Sequence, residues 1–220
     1  HLLHEAGDTL DAIGKRGGIR VDEHMRTSDP NIFAVGDAVE VRDFGTDEPS
    51  LIALAGPANR QGRIAADVIA GRESRYRGTQ GTSIIGLFGA AAAWTGVSEK
   101  TLKRLGKDDY EKIYLFPNSH AGYYPGAKPL ALKFLFRKSD GLVLGAQALG
   151  EDGPAVDKRI SAFAVAIQMG ATIHDLEEAE LCYAPQFGSA KDAVNFAGMI
   201  AADVLHGDMP LAHWDSAEGA

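Results

Sequence analysis

The amino-acid sequence predicts an α+β fold in which an antiparallel sheet carries helices on one face. Apolar, strand-like runs fill much of residues 82–150, and helical patterns follow from residue 153 onwards. Strands that come first and helices that come afterwards favour this class over an alternating α/β fold. Lys-Ser-Asp-Gly at residues 138–141 is a hairpin signal, so the strands on either side of it are predicted to be antiparallel neighbours.

The part of the chain before residue 82 is predicted to hold two strands and one helix. Residues 18–23 alternate like a short strand, and residues 31–36 are apolar on both faces, as in a buried strand. Isoleucine and valine recur at helical spacing in residues 55–71, where Gly71 is a suitable C-terminal stop. The polar residues 72–81 are the best linker candidate, so a domain boundary is expected there.

The remaining elements follow in order after residue 81. A helix at residues 98–106 is predicted to begin with Ser98 as its N-cap and to end at Gly106. A long helix at residues 153–169 places several apolar side chains on one face, and a short helix at residues 172–180 starts with a Thr cap. The other predicted elements are strands at residues 82–89, 112–117, 130–137 and 142–150 and a last helix at about 190–206.

Composition and charge exclude several classes of protein. The net charge of −8, without a stripe of Lys and Arg, argues against a nucleic-acid-binding surface. No apolar run approaches the roughly 20 residues of a membrane span, and no signal peptide is recognisable. The one Cys excludes a disulfide within the chain and suits a reducing compartment, so a cytoplasmic location is predicted. Because the chain does not begin with Met, we expect it to be part of a longer protein.

Residues 31–41, with the sequence NIFAVGDAVEV, place an acid, Asp37, where a strand is predicted to end. A carboxylate in such a position can hold a hydroxyl group of a ligand. Gly-Asp is also a common turn dipeptide, and from the residue alone a structural turn is the simpler interpretation. The sequence contains no GxGxxG and no P-loop, so a nucleotide site that used Asp37 would need a phosphate-binding loop from elsewhere.

Four segments resemble the pyridine nucleotide-disulfide oxidoreductases. Residues 27–41 resemble the second flavin-binding motif of that family, and residues 56–71 resemble the helix that lies against its flavin. Residues 120–130 and 182–208 are similar to the dimerisation domain of the branch with coenzyme A-disulfide reductases, NADH oxidases and persulfide-reducing relatives. The resemblance implies a remnant of an α/β FAD-binding domain at residues 1–78, a dimerisation domain at 79–207 and a linker or tail at 208–220.

The resemblance also implies a function. The parent protein would be a homodimer that passes electrons from NAD(P)H through FAD to a disulfide or persulfide, such as coenzyme A disulfide, or to oxygen. No metal is expected. The FAD glycine loop, the redox Cys and the NAD(P) domain of the family are absent from the sequence, so the chain by itself is expected to hold no FAD. The alternative function is a non-catalytic dimerisation module. Contacts to FAD in the parent are expected at Gly36, Asp37, Ala55 and Ala58.

Three residues in the second part of the chain are candidates for catalysis. Tyr123 and its neighbour Tyr124 lie in a Gly- and Pro-rich loop, where they could form a packed aromatic corner or donate a proton to a sulfur. Tyr183 precedes Lys191, a cation predicted to begin the last helix, where the helix dipole disfavours it. The resemblance implies that Tyr123, Tyr183 and Lys191 enter the active site of the partner subunit, with Tyr124 in reserve.

Two other features invite a catalytic interpretation that the sequence does not favour. Cys182 is the one thiol, but the redox Cys of the family lies upstream of this segment, so Cys182 is expected to be a small buried residue. His213 and Glu218 have the spacing of an acid–base pair in the glutathione reductase branch, but they lie in a polar terminal segment. This segment is interpreted as a linker, toward a further domain in some relatives.

Overall fold

The computed structural model describes residues 13–214, which form two compact units that divide between Gly81 and Thr82. The elements of the first unit are β1 (Ile19–Arg20), a 3-10 turn (Gly36–Ala38), β2 (Val39–Arg42), β3 (Pro49–Ser50) and α1 (Ala55–Ile69). Strand β1 pairs in parallel with β2, and β2 pairs antiparallel with β3. A small core of Met25, Val39, Val41, Ala65 and Tyr76 lies under this sheet and its helix.

The prediction of a strand at residues 31–36 is wrong, and the strand predicted at residues 18–23 is shorter than expected, since β1 has two residues. Within residues 31–36 only Phe33 makes a single bridge, and Gly36 has φ +84°, a left-handed conformation that turns the chain. The buried strand is β2, whose Val39 and Val41 enter the core. Asp37 therefore precedes a strand instead of ending one.

The strands of the second unit are β4 (Ser83–Leu87), β5 (Ala90–Gly96), β6 (Glu111–Leu115), β7 (Leu130–Phe136) and β8 (Val143–Gly150), and its helices are α2 (Glu99–Arg104), α3 (Gly153–Met169), α4 (Ile173–Glu178) and α5 (Ala193–His206). The strands form a five-stranded antiparallel sheet with the order β4-β5-β8-β7-β6. The long helix α3 packs against the two strands β5 and β8, which confirms the predicted α+β class.

Strand β5 was not predicted, although α3 packs against it as well as against β8. Its sequence, AAAAWTG, is rich in Ala, which has a low β-propensity. Small side chains suit this position because Ala91 and Ala93 are buried on the face that α3 covers. The buried residues Ile160, Phe163 and Ile167 of α3 lie on the face that the sequence predicted.

Local signals predicted the helix ends well. The Ser98 side chain accepts a hydrogen bond from the Thr101 N–H at the start of α2, and Thr172 forms a capping box at the start of α4. The last helix, however, begins at Ala193, later than the predicted residue 190, because Asp192 is its N-cap. Lys191 therefore lies just outside the helix.

Glu99 fixes the short helix α2 to the sheet. Its carboxylate accepts hydrogen bonds from Lys103, from Lys112 on β6 and from Lys133 on β7. Burial alone would raise the pKa of Glu99, but the hydrogen bonds from the three lysines outweigh it and hold the pKa far below its usual range. A helix of six residues gains little from its own hydrogen bonds, so these ion pairs keep it in place.

The structure described between residues 13 and 214 adds two negative findings. None of its helices combines the length and the apolar character that crossing a bilayer requires. No cluster of His, Cys, Asp and Glu in the same range is arranged to hold a metal ion.

Gly198→Ala is expected to destabilise the second unit. A Cβ at Gly198 would lie 2.6 Å from the Glu177 nitrogen and 2.6 Å from the Ile173 carbonyl oxygen, so α5 and α4 would have to move apart. Overpacking of this kind costs about 1–3 kcal/mol, which thermal unfolding followed by circular dichroism would measure.

The matched control is Gly62→Ala in α1, where a Cβ meets no atom within 4 Å. Its melting temperature should stay the same or rise, because Ala favours a helix over Gly. A Gly198→Ala variant that melts at the parent temperature would show that the two helices accommodate the methyl group.

Candidate functional site

The Gly36–Asp37 turn presents a carboxylate on the surface of the first unit. The Gly36 N–H donates a hydrogen bond of 2.7 Å to Oε1 of Gln61, a buried residue of α1, which fixes the turn against the helix. Asp37 itself is exposed, and its carboxylate has no hydrogen-bond or ion-pair partner among residues 13–214. The turn thus holds a free acceptor in a defined position.

The start of α1 lies beside this turn. A Cβ at Gly36 would lie 3.9 Å from the Cβ of Ala58, so the turn and the first turns of the helix are neighbours. Ala55 is the first residue of α1; Leu54 before it makes no side-chain capping bond, and the first turn contains no acid. Uncapped N–H groups at a helix start favour an anionic or carbonyl acceptor. These residues fit the hydroxyl-bearing part of a nucleotide cofactor. The Asp37 carboxylate can accept hydrogen bonds from hydroxyl groups, and the small side chains of Ala55 and Ala58 leave space for the cofactor beside α1.

Two phenols from distant parts of the chain meet on the surface of the second unit. The Tyr123 and Tyr183 hydroxyl oxygens are 2.7 Å apart, although 60 residues separate them in sequence. Tyr123 is 76% exposed and Tyr183 is 46% exposed. The hydrogen bond with Tyr123 raises the pKa of Tyr183, because it stabilises the neutral phenol. Either hydroxyl can be the donor of this hydrogen bond, and the other then keeps its proton for a further acceptor.

Backbone hydrogen bonds hold the two tyrosine loops together. The Ala121 N–H donates to the Gly188 carbonyl at 2.8 Å and to the Pro185 carbonyl at 3.3 Å. Ala121 is two residues before Tyr123, and the acceptors follow Tyr183 in a turn where the Gly188 N–H donates to Ala184. The pairing of the phenols is therefore a property of both loops together.

Tyr124, the reserve candidate, takes a different role from its neighbour. Its ring packs edge-on against His120, with 5.7 Å between the ring centroids. The His120 ring nitrogen Nδ1 lies 3.1 Å from the Ala121 carbonyl oxygen, so the imidazole is tied to the same loop. This matches the packed aromatic corner for Tyr124, whereas Tyr123 points away to meet Tyr183.

The structure does not bring Lys191 to the phenols by any described contact. Its ammonium lies 5.8 Å from the centroid of the Phe196 ring, in a cation–π arrangement, and the side chain is exposed. The residue after it, Asp192, is buried and pairs with Arg159 of α3. Sequence reasoning missed both residues. Arg159 could have been found as a charged residue within the apolar pattern of a helix, and Asp192 as an N-cap three residues before Asn195.

The expectation that Cys182 is buried is wrong, because the thiol is exposed in this structure. Cys182 lies in the same loop as Tyr183, and the residues on both sides of it are exposed as well. His213 forms a hydrogen bond of 3.0 Å with Oε1 of Glu111 on β6, so this part of the segment interpreted as a linker is tied to the sheet. Glu218, the other half of the spacing noted in the sequence, lies outside the described residues.

Several known proteins are similar to this chain. Coenzyme A disulfide reductase from a Staphylococcus aureus strain is 34% identical over 187 residues, which are 84% of this chain and 42% of that protein. The crystal structure of reduced Bacillus anthracis CoADR-RHD has a TM-score of 0.90 and 48% identity, covering 94% of this chain and 37% of that one. A NAD-dependent persulfide reductase from A. fulgidus has a TM-score of 0.91 and 34% identity, covering 99% and 40%.

Family models match the two parts of the sequence separately. The pyridine nucleotide-disulphide oxidoreductase model matches residues 5–62, and the model of the dimerisation domain of the same enzymes matches residues 84–194, half of the chain. The chain spans about two fifths of the length of the curated relatives that it matches. The phenol pair, with one tyrosine on each of two loops, lies inside the second match. On these findings the chain belongs to the pyridine nucleotide-disulphide oxidoreductases and carries the dimerisation domain of that family.

Proposed function

We propose that the protein containing this chain is an FAD-dependent oxidoreductase that uses NAD(P)H to reduce a small disulfide or persulfide, such as coenzyme A disulfide. Its relatives include a coenzyme A disulfide reductase and a persulfide reductase, which supports this substrate class. The observation that carries the proposal is the 2.7 Å contact between the Tyr123 and Tyr183 hydroxyl groups. The thiol chemistry of this reaction suits the reducing cytoplasm.

Tyr123 is the proton donor in this proposal. Reduction of a disulfide releases a thiolate, which must take up a proton or be stabilised as an anion. A phenol, with an ordinary pKa of about 10, is close enough to a thiol of about 8.5 to exchange that proton. In this role Tyr183 would donate its hydrogen bond to the Tyr123 oxygen, so that the Tyr123 proton is free to move to sulfur and the same bond stabilises the phenolate that remains.

Lys191 is the proposed source of positive charge for the substrate. Its ammonium is exposed and rests over the Phe196 ring, so binding an anionic group would not break an existing ion pair among residues 13–214. The released thiolate and the phosphates of a coenzyme A-like substrate both carry negative charge that an ammonium attracts. The role of Lys191 is therefore to bind and orient the substrate, while Tyr123 moves the proton.

In the parent protein, residues of the first unit would contact the flavin. FAD, when bound, would accept a hydride from NAD(P)H and supply the two electrons that break the sulfur–sulfur bond. Asp37 would accept hydrogen bonds from hydroxyl groups of the cofactor, and Gly36 gives the turn its left-handed conformation. Ala55 and Ala58 would line the cofactor side of α1 without filling the space.

The second unit forms a homodimer in this proposal. Strand β4 lies at one edge of the sheet formed within residues 13–214 and pairs with β5, and the hairpin between the two strands carries Phe88, which is 99% exposed. Large apolar side chains on an edge hairpin indicate a protein interface. The exposed apolar residues of this hairpin are Ile84, Ile85, Leu87 and Phe88.

Tyr123→Phe in the full-length protein is expected to slow disulfide reduction by about 10²-fold, because the leaving thiolate loses its proton donor. Flavin reduction by NAD(P)H, followed by stopped-flow absorbance, should continue at the parent rate. Tyr183→Phe should slow turnover as well, and the double variant should lose little more than Tyr123→Phe, since the two phenols act as a unit.

Tyr124→Phe is the matched control, because Tyr124 packs on His120 and is not part of the phenol pair. It should turn over like the parent. Parent-like turnover in the Tyr123→Phe, Tyr183→Phe double variant would reject the proposed roles of both phenols. Oxygen consumption that exceeds disulfide reduction in the parent would assign oxygen as the acceptor.

The 220-residue chain, purified alone, is expected to retain no FAD and to show no NAD(P)H-dependent turnover. Its sequence has no glycine-rich phosphate loop, and a hydrogen bond such as those of Asp37 adds only about 1 kcal/mol net. A visible spectrum measures this directly, because oxidised flavin absorbs at about 450 nm. A yellow preparation with one flavin per chain would contradict the expectation.

Phe88→Asp and Ile85→Lys are expected to weaken the homodimer, because each places a charge in an apolar interface. Light scattering of the parent at tens of micromolar should report twice the chain mass of 23.3 kDa, and the variants should shift toward the single chain. Ile69→Lys, an exposed apolar position of α1 outside residues 82–207, is the control and should remain dimeric. A monomeric parent at this concentration would argue against the interface.

A further inference from the structure

Arg159 and Asp192 form a buried ion pair between α3 and the start of α5. The Arg159 side chain is 2% exposed. Its Nε lies 3.1 Å from Oδ1 of Asp192, and its Nη2 lies 2.8 Å from Oδ2, so the pair is bidentate. The third nitrogen, Nη1, donates to the Ala155 carbonyl at 3.1 Å. Each of the three guanidinium nitrogens therefore donates a hydrogen bond, which fixes the orientation of the group.

Asp192 also fixes the end of the loop that carries Tyr183. Its Oδ1 accepts a hydrogen bond of 3.2 Å from the Val194 N–H at the start of α5, and its own N–H donates to Oδ1 of Asn195. The Asn195 amide in turn donates to the carbonyls of Leu176 and Ala179 at 3.0 and 2.9 Å. These bonds tie both ends of residues 179–192 to one point beside α3.

A second contact from α3 holds the middle of the same loop. The ammonium of Lys158, the neighbour of Arg159, donates to the Phe187 carbonyl at 2.5 Å. The next carbonyl, that of Gly188, accepts the Ala121 N–H from the Tyr123 loop. A continuous series of contacts therefore leads from the buried pair to the place where the two tyrosine loops meet.

Stability alone does not account for a buried pair of this kind. Two charges lose much of their hydration on burial, and apolar residues of similar volume in their place are often neutral or stabilising. A bidentate guanidinium–carboxylate pair does provide a fixed geometry, which apolar packing specifies less sharply. Arg159 has no described contact with either phenol, so its effect on them must pass through the backbone of residues 179–192.

We infer that Arg159 is a positioning residue for the reaction: its pair with Asp192 keeps residues 179–192 in the conformation in which the Tyr183 hydroxyl meets the Tyr123 hydroxyl. The catalytic half of this inference rests on the proposed function, whereas the geometric half concerns this chain alone. The two halves have separate readouts.

The geometric readout is the titration of Tyr183 in the purified chain, followed by NMR of tyrosines labelled in the ring. In Arg159→Met the pKa of Tyr183 should fall toward its ordinary value, as it should in Tyr123→Phe, because both changes remove the hydrogen bond that raises it. Arg137→Met is the matched control, since Arg137 forms a bidentate but exposed pair with Asp140 in the β7–β8 turn. This control should leave the Tyr183 titration unchanged.

Asp192→Asn is the second variant, because the Asn side chain keeps an oxygen to cap α5 but loses the charge and one acceptor for Arg159. It should shift the Tyr183 titration in the same direction with the fold intact by circular dichroism. A folded Arg159→Met or Asp192→Asn chain with the parent titration of Tyr183 would overturn the inference. Loss of the fold in both variants would also overturn it, because the pair would then serve the whole unit.

The catalytic readout uses the full-length protein. Arg159→Met should reduce disulfide turnover by about 10²-fold, the scale expected when a reacting group is displaced by about 1 Å, while flavin reduction by NAD(P)H is unchanged. A shifted Tyr183 titration with parent-like turnover would contradict the catalytic half. If Tyr123→Phe also has parent-like turnover, the proposed function itself fails, and the titration still decides the geometric half.

Discussion

The candidate site of the second unit depends on one backbone group, the N–H of Ala121. It is buried and donates to the carbonyls of Gly188 and Pro185, which belong to the loop on the other side of the site. A buried N–H without a partner costs about 1–3 kcal/mol, so each loop is held only while the other is in place. The loops that carry Tyr123 and Tyr183 are therefore joined by a contact in which neither side chain takes part.

The sequence predicted the helices of this chain better than its strands, because helix signals are local. Ser98 and Thr172 cap their helices through atoms three residues away, and such spacings can be read directly from a sequence. Strand β5 has no comparable signal: four Ala residues become a strand only because β4, β8 and α3 surround them. The prediction for residues 31–36 was wrong for the opposite reason. Their apolar pattern indicates a strand, but the left-handed conformation of Gly36 turns the chain there.

The predictions of site residues also depend on whether a signal is local in the sequence. The resemblance of short motifs to a known family predicts roles for Tyr123, Tyr183 and Asp37, but no local pattern shows that two phenols 60 residues apart share a hydrogen bond. Cys182 was expected to be buried because a free thiol usually is, yet its loop leaves it exposed. Arg159 and Asp192 each leave a local signal, but no sequence spacing shows that an Arg within one helix pairs with an N-cap Asp 33 residues later.

The exposure of the phenol pair sets a condition on its chemistry. Two unit charges 4 Å apart interact by only about 1 kcal/mol in water, but by about 4 kcal/mol where the effective dielectric constant is near 20. Tyr123 and Lys191, both exposed in the single chain, would stabilise a thiolate weakly unless another surface excluded water from them. A site that gains its strength only when covered requires assembly for activity. In the proposed function, therefore, proton transfer by Tyr123 depends on dimerisation of the second unit.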